Sequence, residues 1–250
     1  MKLTFIGSGS AFTVGGNNFK SNMILESNNH KKLLIDCGSD ARLALHELSL
    51  SYRDIDAVYI SHLHADHCGG LEWLALSKFY SEGKKIDLFI HPDLRDSLWQ
   101  MLSVSLNGAN EKTISLDSFF TVHLIQNRDF VWEECTIRIF PTIHVQNQSN
   151  LMPSYGLELQ INEQKILITT DTQFASNYLE PLYKQAAIIF HDCEIGKEMS
   201  EVHACYYELK KLSPDIKKKM WLYHYQPLPL PNALADGFQG FVKKGQSFKL

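Results

Sequence analysis

Short, nearly continuous apolar runs alternate along the chain with stretches whose apolar side chains recur at helical spacing. The runs at 2–6, 21–26, 32–36 and 56–60 predict early strands linked by Gly-rich and Asn-rich turns, and 40–48 predicts a short helix. Helical spacing over 70–80 and 93–104 brackets a strand at 86–91. The second half opens on strands at 119–125, 135–141, 155–161 and 164–169. Helices at 177–185 and 201–212 then bracket a strand at 187–190, and strand material follows at 220–224 and 238–250. Both halves place strands first and strand–helix alternation second. That order predicts an α/β fold, one domain over 1–250, with two sheets face to face and helices outside.

Composition narrows the class. With 250 residues, 44% hydrophobic and 21% charged, the chain can bury a sizeable core. It has no apolar run of about 18 residues, so neither a secretory leader nor a membrane span is expected and the reading is cytoplasmic. Five cysteines (Cys37, Cys68, Cys135, Cys193, Cys205) form no CxxC pair. This argues against a disulfide framework and against a Cys-cluster zinc site. A net charge of −4 offers no general attraction for a nucleic-acid backbone, so a large RNA partner is disfavoured.

The candidate chemistry is concentrated in Ser61-His62-Leu63-His64-Ala65-Asp66-His67, which reads as a tight loop between the strand at 56–60 and Gly69-Gly70. Three imidazoles and a carboxylate in one loop are costly to order unless a cation binds them. His62 and His64 alternate as along an extended chain and so share a side. Asp66 and His67 come from the turn that follows and can serve a second position. Two cations suit this better than one closed tetrahedral centre. Further ligand-type residues end later apolar runs: His144, Asp171 and His224. The carboxyl ends of strands are where α/β folds place their sites.

This ordered set resembles the metallo-β-lactamase superfamily, whose HxHxDH motif is followed by a His, an Asp and a His at later strand ends. Phe5-Ile6-Gly7-Ser8-Gly9-Ser10-Ala11 is similar to its opening strand and Gly-rich turn. Leu34-Ile35-Asp36-Cys37-Gly38 is similar to the element whose Asp braces the metal loop. The resemblance implies a four-layer αββα sandwich. It also implies that His62, His64 and His144 hold one metal, that Asp66, His67 and His224 hold a second, and that Asp171 bridges them. Two Zn²⁺ are expected, with Mn²⁺ or Fe²⁺ as alternatives. A hydroxide held between such ions is then the nucleophile, and the chemistry is hydrolysis.

Ser154-Tyr155-Gly156-Leu157 and Phe190-His191-Asp192-Cys193-Glu194 resemble elements of the phosphodiesterase branch that includes tRNase Z, with Asp192 replacing a Glu. His203 takes the place of a further His that binds phosphate and protonates the leaving group there. Val202-His203-Ala204-Cys205 departs from the His-Ser-Thr of tRNase Z. The implied catalytic residues are therefore Asp66, Asp192 and His203. tRNase Z also carries a long basic arm, expected between His144 and Asp171. Here these residues are 27 positions apart, enough for one strand pair and its turn. The chain thus resembles the compact cyclic-nucleotide phosphodiesterases with which phages defeat Pycsar immunity. That resemblance implies 3′,5′-cyclic mononucleotides as substrates and a homodimer. The alternatives are an RNA 3′-processing endonuclease without the arm, a lactonase or thioesterase of the same fold, and a non-catalytic binding module. His30, His46, His91 and His123 are expected to be structural or solvated, and Cys68 a packed thiol. Phe12, on the Gly-rich turn facing the site, is a candidate for stacking on a base.

Overall fold

The computed structural model describes residues 1–14, 17–106, 114–147, 150–196 and 199–250. In chain order its strands are β1 (Lys2–Gly7), β2 (Asn22–Glu26), β3 (Lys32–Ile35), β4 (Ala57–Ile60), β5 (Ile86–Ile90), β6 (Phe120–Leu124), β7 (Asp129–Trp132) and β8 (Cys135–Pro141). They continue as β9 (Gln146–Asn147), β10 (Asn150–Leu151), β11 (Tyr155–Ile161), β12 (Gln164–Ile168), β13 (Ile188–Asp192), β14 (Met220–Tyr223), β15 (Gly240–Phe241) and β16 (Ser247–Lys249). The helices are α1 (Ala41–Glu47), α2 (Ala65–Cys68), α3 (Leu71–Glu82), α4 (Pro92–Leu106), α5 (Leu116–Phe119), α6 (Ser176–Gln185), α7 (Tyr206–Leu209) and α8 (Pro214–Lys217).

Two seven-stranded sheets form, ordered β16-β1-β2-β3-β4-β5-β6 and β15-β14-β13-β12-β11-β8-β7. Parallel strands β4 and β14 are apolar at every position because both of their faces are covered, whereas β6 at the sheet edge is largely exposed. In β12, Ile166 and Ile168 pack into the core between the sheets, while Leu167 faces the outer cluster with Leu179 and Tyr183 of α6. β13 repeats the alternation, with Phe190 inward, 5.1 Å from the Phe5 ring across the interface, and Ile189 outward. On the other side Ala41, Leu74 and Leu98 of α1, α3 and α4 join the core of the first sheet. The layering is αββα, as expected.

The element predictions fail in identifiable places. The segment 201–212 is helical only at Tyr206–Leu209, because Cys205 bridges Glu194 and His203 is drawn to Asp192. The loop at 61–67 ends in a helix: α2 begins at Ala65 and carries Asp66 and His67. The edge strand β7 went unpredicted, since half of its positions are exposed. The terminal segment divides between the sheets, β15 pairing with β14 and β16 with β1. The ligand-type residues nevertheless collect along one edge, with His62 after β4, His144 after β8, Asp171 after β12 and His224 after β14.

Candidate metal centre

The geometry starts from Asp36, at the end of β3 with φ +62°. Its Oδ1 accepts from Ser61 N–H at 2.8 Å, and its Oδ2 accepts from Ser61 Oγ–H and His67 Nδ1–H, both at 2.7 Å. One buried carboxylate thereby fixes the start of the loop and the end of α2. Thr170 and His224 also have φ near +50° to +60°. Left-handed backbone at non-glycine residues costs free energy and concentrates at functional sites. Gly38 is required for a different reason: a Cβ there would lie 1.9 Å from the Asp66 carbonyl oxygen. Gly38→Ala is expected to cost about 3 kcal/mol of stability and to displace α2. A denaturant titration would read the first effect and metal uptake the second.

The hydrogen bonds assign the tautomers. Ser61 Oγ–H donates to Asp36, so at 3.0 Å its oxygen accepts from His62 Nδ1–H. His144 Nδ1–H donates to the Val202 carbonyl at 2.8 Å, and His67 Nδ1–H to Asp36. In its neutral form each of these rings presents a bare Nε2 to the site. His62 Nε2 and His144 Nε2 both lie 3.1 Å from His64 Nδ1, and one proton on that atom cannot serve both. His67 Nε2 faces Asp66 Oδ2 and Asp171 Oδ2, each at 3.2 Å, without a well-aligned hydrogen bond. Asp171 Oδ1 is buried with no partner. Converging lone pairs and orphaned carboxylate oxygens fit divalent cations. Two sets could hold one ion each: His62, His64, His144 and Asp171; and Asp66, His67, His224 and Asp171. Within each set the ligand atoms lie within 4.8 Å of one another. The residues expected from the sequence are therefore together, with Asp171 common to both sets.

The protonation directions divide the two sets: although burial opposes it, Asp171, Asp66 and Asp36 raise His67 well above the ordinary histidine value. Burial, reinforced by the neighbouring imidazoles, holds His62 well below the ordinary histidine value, and burial also lowers His64 and His144. For His224 burial opposes protonation, but Asp171, Asp192 and Asp66 outweigh it and raise the ring to about 10. The Asp66 and Asp171 carboxyls resist burial in the same way and end well below the usual range, through His67 and His224. The second pocket is thus a strongly negative place that demands positive charge.

Beside it, His203 Nδ1–H donates to Asp192 Oδ2 at 2.7 Å, and Thr172 N–H donates to the same oxygen at 2.9 Å. His203 lies 3.9 Å from Asp171 Oδ2. Burial disfavours its protonation, yet Asp192 raises it overall. Asp171, Asp192, His203 and His224 form a third group of ligand type, which the sequence reading did not foresee. Also unforeseen was a buried relay behind Asp192: Tyr183 O–H donates to His191 Nε2 at 2.6 Å, and His191 Nδ1–H donates to the Asp192 carbonyl. The His that begins this element was its only sequence signal. His30 pairs with Glu26 and His123 with Asp87, while His91 stacks on Tyr155 at 4.1 Å. Phe12 is 88% exposed, and Cys68 is buried as a free thiol.

The family model described as Anti-Pycsar protein Apyc1 matches residues 1–248. The chain belongs to the Apyc1 family. The Apyc1 protein of Bacillus phage 010DV004 is 34% identical over 262 residues, covering 100% of this chain and 98% of its own length. This Apyc1-family chain is also similar in fold to the metallo-β-lactamase fold protein YhfI from Bacillus subtilis (TM-score 0.76, 20% identity, 99% and 98% of the two chains covered). Human short-form tRNase Z matches with a TM-score of 0.69 at 19% identity, covering 100% of this chain and 99% of its own. In the Apyc1-family chain, the described residues between His144 and Asp171 include the short pairs β9–β10 and β11–β12. Among the described residues no helix is long and apolar enough to cross a membrane.

Proposed function

We propose that this chain is a dinuclear metal-dependent phosphodiesterase that opens 3′,5′-cyclic mononucleotides to nucleoside monophosphates and so counters cyclic-nucleotide antiphage immunity. Family membership supports the substrate class. The reaction class rests on one observation: the Asp192–His203 pair stands beside Asp171, the carboxylate common to both ligand sets. His62, His64 and His144 would hold one ion, Asp66, His67 and His224 the other, and Asp171 both. Zn²⁺ is favoured by the imidazole-rich donors, with Mn²⁺ as the alternative. Such ions supply Lewis-acid polarisation of phosphoryl oxygens and an acidified water.

The remaining chemistry belongs to the protein. Asp36 and the Val202 carbonyl keep the Nε2 atoms of His67 and His144 aimed inward. Asp192 holds His203 by Nδ1, leaving Nε2 to deliver a proton to the departing ribose oxygen. An alkoxide is a poor leaving group and needs that proton, whereas a thiolate, with a thiol pKa near 8.5, does not. His203 therefore favours a phosphodiesterase over a thioesterase. The span between His144 and Asp171 and the net charge of −4 favour a small substrate over precursor tRNA. We read the active form as a cytoplasmic homodimer.

The test is a panel of 3′,5′-cyclic mononucleotides, cyclic dinucleotides, bis(p-nitrophenyl) phosphate and a tRNA precursor, assayed with Zn²⁺ and with Mn²⁺. Ring opening of at least one cyclic mononucleotide is expected. A metal-loaded protein that cleaves the precursor and leaves every cyclic mononucleotide intact would sink the proposal.

A further inference from the structure

The turn after β12 does more than deliver Asp171. It is zipped to the segment after β8 that delivers His144. Thr142 Oγ1–H donates to the Asp171 carbonyl at 2.9 Å, and Gln173 N–H donates to the Ile143 carbonyl at 2.6 Å. The Gln173 side chain reaches one residue further, its Nε2–H donating to the His144 carbonyl at 2.8 Å. His144 is thereby held at two points, because the Val202 carbonyl accepts from its Nδ1–H at 2.8 Å. A single contact is a pivot about which the ring can swing. Two contacts, one on the ring and one on the main chain, fix the direction in which Nε2 points.

That direction decides which ligand set the ring completes. His144 Nε2 lies 3.1 Å from His64 Nδ1 and 3.6 Å from Asp171 Oδ2, within the set of His62, His64, His144 and Asp171. The hydrogen bonds of Gln173 run to Ile143, His144 and Thr172, and none of them to Asp66, His67 or His224 of the other set. Its influence is therefore one-sided. The side chain is half-buried and lines a polar cavity of about 530 Å³ with Ser200, Glu201 and Val202. Exchanging its amide for an apolar group of the same length leaves the packing between the sheets as it is.

We propose that Gln173 is a positioning residue for one of the two ions: its amide aims His144 into the set with His62 and His64 and ties that set to Asp171. This rests on the dinuclear centre of the reading above and not on its substrate. Groups that orient a metal-bound histidine from behind are commonly worth 10–100-fold in metal affinity.

The experiment titrates the metal-free protein with Co²⁺, whose visible absorption bands report the donors around each ion. The parent should bind two. Gln173→Met keeps the length of the side chain and loses the amide. It should weaken one Co²⁺ by about 10–100-fold and alter that ion's bands, while the other ion and the metal-free melting temperature stay as in the parent. In a His64→Ala background, where the first set is already open, Gln173→Met should have no further effect on the remaining ion. Equal weakening of both ions, unchanged affinity for both, or a loss that persists undiminished in the His64→Ala background overturns the assignment. A parent that takes up no Co²⁺ overturns the centre and this inference with it. A parent that takes up two ions but opens no cyclic nucleotide overturns the substrate reading alone, and the titration still decides the role of Gln173.

Discussion

His64→Ala is expected to lower kcat/KM on cyclic mononucleotides by more than about a thousandfold, well beyond the 10–100-fold typical of losing a group that merely orients a ligand. His64 Nδ1 is the atom toward which both His62 Nε2 and His144 Nε2 point, at 3.1 Å each. Its removal opens one ligand set, while Asp66, His67, Asp171 and His224 remain. Metal analysis should therefore show one of two ions lost, and the fold should survive. The metal-free variant should melt no lower than the metal-free parent, because the three-ring convergence is relieved. A variant that retains both ions with full activity would remove His64 from the centre.

His203→Ala should lower kcat on cyclic mononucleotides by about 10²–10³, the usual worth of a positioned general acid, with metal content unchanged. The diagnostic is the leaving group. Bis(p-nitrophenyl) phosphate expels an acidic phenol that departs without help, so its kcat should fall far less. Asp192→Asn should reproduce this contrast at about 10–100-fold, since it disturbs the His203 ring without deleting it. Equal losses on both substrates would give His203 a structural role.

The contrast between what the sequence told and what it concealed is physical. β4 was legible because a parallel strand buried on both faces is an unbroken apolar run, and β12 and β13 each carry such a run of three residues, Ile166–Ile168 and Ile188–Phe190. The ligand-type residues were legible because they sit at the ends of such runs. The segment at 201–212 misled because its composition suits a helix, while its conformation is imposed from afar by Asp192 and Glu194. Backbone partners such as the Val202 carbonyl leave no trace in residue identity. Ser61 was likewise invisible, since its partner Asp36 lies 25 positions away, and the Tyr183–His191 contact depends on how α6 packs on β13.

The Val202 carbonyl that orients His144 belongs to the residue next to His203. Glu194, at the start of that loop, grips the Ser200 amide at 2.9 Å. Between these anchors Met199 and Glu201 are exposed, and their side chains can change without touching the chemistry. An inserted or deleted residue is different, because it slides the carbonyl and the imidazole together out of their places. In this stretch of the protein, evolution can rewrite the letters but has to keep the count.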